Sequence, residues 1–354
     1  MTKRVFSPVV VLCCTLFLVI HAYSEIEEGV KIERGVKLPA AGVIRGKADV
    51  VLKRINAFCV ANRFKPWDID LNRGQEKVYD GTPLEGDLFW FLSPDFVLSF
   101  QPSSGMLVEC QNSKLDQSVT QLNGKTRAYI HKPESKWTRD YAVKIARAFI
   151  EACLGEMPKN IGAPDQVEFQ QRVLGLDKET KKLLYGVPHW NLFFPRVDKN
   201  GYKFQEEAII VTIFEDAGPT TLGVRMPSRY EEVSGEPLKQ EEVMPEAVAY
   251  AKKLTNRSGL SGMFGGGTIN ETPLNARLEI VKPNNMGELR NLDSDSTDLN
   301  ARLAWVICFD WTKSRSLWSQ WTGSGSGSSD NKGEITVWID AHTKKPLGGD
   351  YCLP

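Results

Sequence analysis

The feature that most constrains the fold of this chain is a strand-and-turn signature near its C-terminus, at residues 333–350. Its strand has an apolar residue at every second position, at Ile335, Val337 and Ile339. This period of two is typical of a strand with one buried face. A polar turn follows, and residues 346–350 then are expected to leave the sheet. Residues 96–109 and 209–223 repeat the order of strand, small turn and short aliphatic exit, so the sequence predicts three copies of one module.

Each copy of the signature comes after a stretch with helical periodicity. Helices are predicted to begin near residues 47, 138 and 244, and each has one apolar face. In the third helix the apolar face consists of Val243, Ala247, Tyr250, Ala251 and Leu254. Each third of the chain therefore reads as a helix followed by about three antiparallel strands. One helix lying across one face of an antiparallel sheet is an α+β architecture, here of repeated αβββ modules.

The same pattern predicts where the modules begin and end. The first module is expected at residues 46–112, the second at 136–225 and the third at 240–352. Residues 67–78 of the first module are predicted to hold a strand. The polar residues 111–136 follow, and they include the turn dipeptide Asn123-Gly124.

The N-terminus has the layout of a secretory signal peptide at residues 1–24. Lys3 and Arg4 precede an apolar run at residues 9–20, which is shorter than the roughly 20 residues that span a bilayer. Residues 25–45 then read as a linker. We expect a secreted, periplasmic or cell-envelope protein, with an uncleaved N-terminal anchor as the alternative.

The overall charge and the cysteine spacing limit the classes of partner and cofactor. The chain has 44 basic and 44 acidic residues, so composition gives no reason to expect a nucleic-acid or anionic-membrane partner. Removal of the signal leaves five cysteines, Cys59, Cys110, Cys153, Cys308 and Cys352. Their spacing does not match a zinc site, so we interpret them as structural. One disulfide is compatible with an oxidising compartment, and its pairing stays open.

No motif in the sequence assigns catalysis or a cofactor. The chain lacks an HExxH helix and a GxSxG elbow. His131, His189 and His342 are far apart and are interpreted as exposed turn histidines. The glycines at 262–267 do not complete a phosphate loop, and the aspartates at 293–298 lack the glycine and glutamate of a calcium loop. The prediction is no catalytic residue, no metal ligand and no cofactor.

The third module resembles a PepSY-type domain over residues 240–352. The resemblance consists of an alanine-bearing helix, LEIVKP at 278–283, LAWVICF at 303–309, and a final strand in which Val337 and Asp340 fit the family's V-x-x-D form. The family's usual turn glycine is absent. PepSY-type modules occur in peptidase propeptides, as inhibitors or folding helpers, and as free exported or membrane-attached domains. The resemblance is weaker in the second module and only topological in the first.

That resemblance implies a non-catalytic exported module that binds or inhibits a peptide or protein, including a peptidase. Two alternatives stay open: a secreted hydrolase whose carboxylates meet only in the fold, and a purely structural envelope protein. The candidate binding residues are tryptophans of the third module, namely Trp311, Trp318, Trp321 and Trp338. Aromatic side chains on an otherwise polar loop are typical of partner contacts. The competing interpretation is that they pack over their own sheet.

The tryptophan hypothesis gives the first prediction. Replacing Trp318 and Trp321 by Ala is expected to weaken partner binding while leaving the melting temperature nearly unchanged, because both lie in a loop without an evident core of its own. Affinity capture of the partner and thermal unfolding of the double variant measure the two quantities. Capture equal to that of the parent chain would contradict the assignment.

Overall fold

The fold is seen in a computed structural model that describes most of the chain after residue 41. The described residues are 42–79, 88–101, 105–122, 125–130, 134–171, 173–177, 180–225, 230, 235–255, 267–284, 300–313 and 332–352. They contain four α-helices: α1 (Val43–Ala61), α2 (Ser113–Thr120), α3 (Arg139–Leu154) and α4 (Gln240–Thr255). A short 3-10 helix lies at Leu71–Arg73.

Sixteen strands connect these helices in the described part of the chain. The first six are β1 (Gln75–Tyr79), β2 (Leu88–Leu92), β3 (Phe96–Phe100), β4 (Leu107–Asn112), β5 (Gln121–Leu122) and β6 (Lys125–Thr126). The next six are β7 (Gln166–Gln170), β8 (Val173–Leu176), β9 (Leu183–Tyr185), β10 (His189–Val197), β11 (Lys203–Phe214) and β12 (Gly218–Arg225). The last four are β13 (Gly267–Val281), β14 (Arg302–Lys313), β15 (Lys332–Asp340) and β16 (Pro346–Cys352).

Three helices are each followed by an antiparallel meander of four strands. We call α1 with β1–β4 the first segment, α3 with β7, β10, β11 and β12 the second, and α4 with β13–β16 the third. The α+β prediction is confirmed. That the segments are copies of one module, with the boundaries predicted above, stays a prediction.

The first two segments share one continuous sheet. Strand β4 pairs with β12 antiparallel, with Gln111 opposite Thr221, Cys110 opposite Leu222 and Glu109 opposite Gly223. The strand order is therefore β1-β2-β3-β4-β12-β11-β10-β7. The third segment joins through one parallel pair, Phe204 of β11 with Ile280 of β13.

Helices α1 and α3 pack side by side on one face of the shared sheet. Their apolar residues form one core with the facing strand residues, and Phe58 of α1 lies 5.6 Å from Phe149 of α3 between ring centroids. Trp67 enters the same core and stands 5.9 Å from Phe149. The backbone of Trp67 is held by the side chain of Asn56, which accepts from its N–H at 2.6 Å.

Helix α4 covers one face of the third sheet. Its five predicted apolar residues are all buried, so the predicted helical face is confirmed. They pack against Ile307 and Phe309 of β14 and Val337 of β15. A smaller core on the opposite face contains Val306 and Trp338.

In the second and third segments the turn after the third strand holds the chain that enters the helix. The Glu215 carboxylate accepts a hydrogen bond from Ser135 Oγ. It also accepts hydrogen bonds from the backbone N–H groups of Lys136 at 3.0 Å and Trp137 at 3.2 Å. In the third segment the Leu238 N–H donates to the carbonyl oxygen of Ala341 at 2.8 Å. Carboxylates that accept several N–H groups are among the stronger hydrogen-bonding groups in proteins.

The aspartate of the V-x-x-D pattern shapes the turn of the third segment. Asp340 is 3 % exposed, and its Oδ1 accepts from the backbone N–H groups of His342 at 2.9 Å and Thr343 at 2.8 Å. Its other oxygen lies 3.9 Å from the Arg302 guanidinium. The role of Asp340 in this structure is to order the β15–β16 turn.

The structure corrects one sequence prediction. The aliphatic exit does not leave the sheet, because residues 346–352 form β16, which pairs with β15. The strand predicted within residues 67–78 is β1 (Gln75–Tyr79), and the residues before it include a short 3-10 helix. Helix α2 lies within the polar residues 111–136, where the sequence had indicated only a turn, and its first turn is capped by Asn112 Oδ1 accepting from the Leu115 N–H.

Candidate functional site

The structure places the two described tryptophans of the predicted site on opposite faces of the third sheet. Trp311 in β14 packs on the α4 side, and Trp338 in β15 packs on the other side. They are 8 % and 5 % exposed, respectively. Trp318 and Trp321 lie outside the described residues. Trp311 and Trp338 therefore do not form a shared contact surface, and the binding role of the four tryptophans stays a prediction.

A groove of about 430 Å³ opens where the first and second segments meet. Helix α1, the β3–β4 turn, the C-terminal end of α3, β10 and β12 all contribute to it. Its walls are mostly apolar, and the apolar side chains lining it include Val51, Phe100, Met106, Leu107, Leu154 and Val224. Its polar side chains are Arg54, Asn160, Arg196 and Glu156. A concave apolar site with a few convergent polar groups is the usual form of a ligand site.

The Arg54 guanidinium is held in place by the end of α3. Its Nη2 donates to the carbonyl oxygen of Cys153 at 2.8 Å, where the helix dipole favours a positive charge. Gly155 ends this helix with a φ of 94°, in the left-handed region. A Cβ at Gly155 would also crowd Arg54 Nη1, so both its conformation and the space beside it favour glycine.

One donor of Arg54 has no acceptor in the described part of the protein. The Nε–H of Arg54 is buried, and none of the described residues accepts a hydrogen bond from it. A buried donor without an acceptor costs free energy, so native structures nearly always satisfy such groups. Because Arg54 lines the groove, a ligand bound there would lie beside a guanidinium that has one unsatisfied donor.

The other charged side chains around the groove differ in whether they can still interact with a ligand. Arg196 donates to Glu207 Oε2 at 2.7 Å and lies 4.0 Å from the centroid of the Phe204 ring, so its charge is already balanced. Lys47 is exposed, and its Nζ stands 5.2 Å from the Phe100 ring centroid at the edge of the groove. Glu156 is an exposed carboxylate on the lining. Arg54 and Lys47 are the cations that remain for an anionic ligand.

Three thiols at the base of the same core are poorly suited to nucleophilic chemistry. Cys59, Cys110 and Cys153 are buried and carry no disulfide. Burial raises the pKa of Cys59 to about 12. Burial, and then the neighbouring Cys110 thiol, raise the pKa of Cys153 well above its usual value. The thiolate is the reactive form, so Cys59 and Cys153 act as small apolar side chains at neutral pH.

Among the described residues, two carboxyl groups have raised pKa values, and neither shift has another carboxylate among its causes. Burial raises the pKa of Glu109 in β4 to about 7, although the Arg225 charge opposes the shift. Burial raises the pKa of Asp116 in α2 to about 6. Paired catalytic carboxylates raise one another's pKa by charge repulsion, and no such contribution acts on either group. The hydrolase alternative stays a hypothesis that neither carboxyl supports.

The histidines of the sequence analysis are placed as follows. His189 is half-buried in β10, its ring centroid lies 5.5 Å from that of Phe214, and burial lowers its pKa. The expectation of an exposed turn histidine is therefore wrong for His189. His342 is half-buried in the β15–β16 turn. His131, the glycines at 262–267 and the aspartates at 293–298 lie outside the described residues.

Within the described residues, no group of three or more His, Cys, Asp or Glu side chains is arranged to hold a metal ion. None of the helices that the structure describes is long and apolar enough to cross a bilayer.

Few known proteins are similar to this chain. No protein-family model and no curated protein matches the chain. One solved structure, the Bacillus megaterium YpeB C-terminal domain, is similar at 10% sequence identity and a TM-score of 0.30. The match covers 90% of this chain and 100% of that chain. A TM-score this low carries no argument about fold or function, so the PepSY resemblance stays a prediction.

Reasoning from the sequence missed every residue of the groove. Arg54 follows Val51 by three positions on α1, on the border of the apolar face. A charged residue there is usually the solvated edge of an amphipathic helix. Two features of the sequence could have marked Arg54. Its helix neighbours three and four positions away are apolar, and no acidic residue four positions before or after it could form an ion pair with it on the helix.

The raised pKa of Glu109 predicts a pH-dependent stability. The folded protein keeps the Glu109 proton up to about pH 7, whereas an unfolded carboxyl loses it near the ordinary value of 4.5. The free energy of unfolding therefore falls as the pH rises between these values. Glu109→Gln is expected to remove this loss, so that at pH 8 the variant is more stable than the parent by about 1–3 kcal/mol.

Urea unfolding of the parent and of Glu109→Gln at pH 4 and pH 8 measures this effect. Glu151→Gln, which changes an exposed carboxylate on α3, is the matched control and is expected to show little pH-dependent difference. A stability difference between Glu109→Gln and the parent that is the same at both pH values would contradict the prediction.

Proposed function

We propose that this chain is an exported, non-catalytic protein that binds a peptide segment of its partner in the groove between the first and second segments. In this proposal a carboxylate of the peptide, from its C-terminus or from an Asp or Glu side chain, accepts hydrogen bonds from Arg54. The apolar walls contact neighbouring peptide side chains. The proposed site of action outside the cytoplasm rests on the signal-peptide pattern of residues 1–24.

The observation that carries the proposal is the buried Nε–H of Arg54, which no described residue satisfies. A carboxylate supplies two oxygens in a plane, which suits the forked donors of a guanidinium. Because Nη2 already donates to the Cys153 carbonyl, the Nε–H is the unsatisfied donor that a ligand oxygen would accept from. Lys47 at the edge of the groove adds a second positive charge that favours an anionic group.

A peptide also fits the groove better than a fully charged small anion does. Its lining is mainly aliphatic and aromatic, and Glu156 places one negative charge on the same lining. A multiply charged anion would meet that repulsion without using the apolar wall. A peptide can place one carboxylate at Arg54 and apolar side chains along Phe100 and Met106.

The proposal predicts a preference for free carboxylates. Fluorescein-labelled decapeptides that carry an apolar residue next to a free C-terminal carboxylate, or next to an internal Glu, are expected to bind more tightly than amidated, Glu-free peptides of the same length. Arg54→Gln is expected to weaken binding by about 10-fold or more, because a hydrogen bond to a charged group contributes roughly 1.5–3 kcal/mol. Fluorescence anisotropy measures the dissociation constants.

The matched control is Arg139→Gln, which removes an exposed arginine at the start of α3, away from the groove lining. Arg139→Gln is expected to bind as the parent does. Thermal unfolding of both variants checks that a loss of binding does not arise from a loss of fold. Equal affinity of Arg54→Gln and the parent, or equal affinity for acid and amide peptides, would overturn the groove assignment.

A further inference from the structure

The β8–β9 hairpin of the second segment exposes an unusual amount of apolar surface. Strands β8 and β9 form a separate two-stranded sheet, and Tyr129 pairs with Tyr185 of β9 through two backbone hydrogen bonds of 2.8 Å and 2.9 Å. The exposed apolar side chains here are Tyr129 (38%), Ile130 (41%), Val173 (52%), Leu174 (39%), Leu176 (61%) and Leu183 (44%). We call these six residues the hairpin patch.

The hairpin patch is concentrated and is not a random scatter of surface residues. It holds six of the eleven large hydrophobic side chains that are exposed in the described part of the chain. All four residues of β8 are exposed, so this strand contributes no buried side chain to a core. A two-stranded hairpin is only marginally stable alone in water, and contiguous exposed apolar patches mark interaction surfaces.

The charges at the end of the hairpin indicate which kind of surface it fits. Lys181 and Lys182 lie in the turn between β8 and β9, both are exposed, and the described residues provide neither with an ion pair. The nearby Asp177 carboxylate is engaged, because its Oδ1 accepts from the backbone N–H and the hydroxyl of Thr180 at 2.6 Å and 2.7 Å. Lys125, four residues before Tyr129, is also exposed. The hairpin patch is therefore bordered by basic side chains that remain available.

This combination matches the interface of an anionic lipid bilayer. Aliphatic side chains enter the boundary of the acyl chains, and tyrosine prefers the headgroup level. Lysines keep their aliphatic stems on apolar surface while the ammonium groups reach anionic headgroups. Interfaces with protein partners are enriched in aromatic and arginine side chains, whereas five of the six residues of the hairpin patch are aliphatic.

We propose that the hairpin patch, together with Lys181 and Lys182, docks this protein on an anionic membrane surface. The proposal goes beyond the peptide groove and does not depend on it, since the hairpin residues are not among the groove lining. The hairpin would lie in the headgroup region without crossing the bilayer. The groove would then be available for a partner at the same membrane.

A local fluorescent probe tests the docking in the full chain. The environment-sensitive NBD group is attached to a cysteine introduced as Leu176→Cys, and in a matched control as Leu274→Cys on β13, where Leu274 is 47% exposed. The four described native cysteines are buried, and the parent chain labelled in parallel gives the background. Because the probe reports its own surroundings, an N-terminal anchor common to all samples does not produce the signal.

With phosphatidylglycerol-containing vesicles, the probe at position 176 is expected to increase in intensity and shift to the blue, while the probe at position 274 stays unchanged. Pure phosphatidylcholine vesicles are expected to give a smaller response. In the Leu176→Cys background, the double change Lys181→Gln and Lys182→Gln is expected to lower the affinity for the anionic vesicles by about 30-fold. An unchanged signal at position 176 would overturn the proposal. A signal that instead rises with protein concentration and without vesicles would overturn it in favour of a second copy of this chain.

Discussion

The pairing of β4 with β12 is the contact on which the rest of the first two segments depends. Three residue pairs join two four-stranded meanders edge to edge. Because both meanders then belong to one sheet, α1 and α3 lie on the same face and share one core. The same pairing removes two exposed sheet edges, which would otherwise invite pairing with other chains. It also brings the β3–β4 turn beside the end of α3, and this produces the groove.

The helices are tied to their sheets by a small number of polar contacts. In the second segment the Glu215 carboxylate gathers the backbone before α3, and in the third the Ala341 carbonyl holds the backbone before α4. In the first segment Glu76 of β1 accepts from the Arg45 N–H at 2.8 Å at the start of α1. Carboxylates near a helix N-terminus also interact favourably with its dipole. Burial thus fixes which face of each helix is covered, and these contacts fix where the helix begins.

The sequence alone predicted those parts of the fold that depend on local periodicity. The apolar face of α4 and the strand β3 were predicted because their burial patterns lie within a few residues of sequence. Helix α2 was missed because it has no buried residue, and its start depends on the Asn112 cap. Strand β16 was missed because Gly348 and Gly349 read as turn residues. In the structure, a side chain on Gly349 would collide with the Thr336 carbonyl of the neighbouring strand.

The candidate sites, too, depend partly on local sequence and partly on contacts between distant residues. Alternation along β15 already separates Trp338 from Val337, which faces α4, yet grouping the tryptophans by proximity in sequence hid that they belong to different faces. The groove could not be predicted, because Arg54, Met106 and Cys153 are about 50 residues apart and meet only through the β4–β12 pairing. The hairpin patch was hidden for a related reason. A run of aliphatic residues such as 173–176 predicts a strand, and only the folded structure shows that nothing in the described chain covers it.

Binding of a partner peptide in the groove beside Arg54 is tested by photo-crosslinking. A photo-crosslinking amino acid is placed at Met106 in one sample and at Trp318 in another, and both samples are exposed to the envelope fraction of the source cells. If a peptide occupies the groove, mass spectrometry is expected to identify peptides attached at position 106, and these should disappear when Arg54→Gln is added. Crosslinks that form at position 318 alone, or that persist at position 106 in the Arg54→Gln background, would show that the groove is not the binding site.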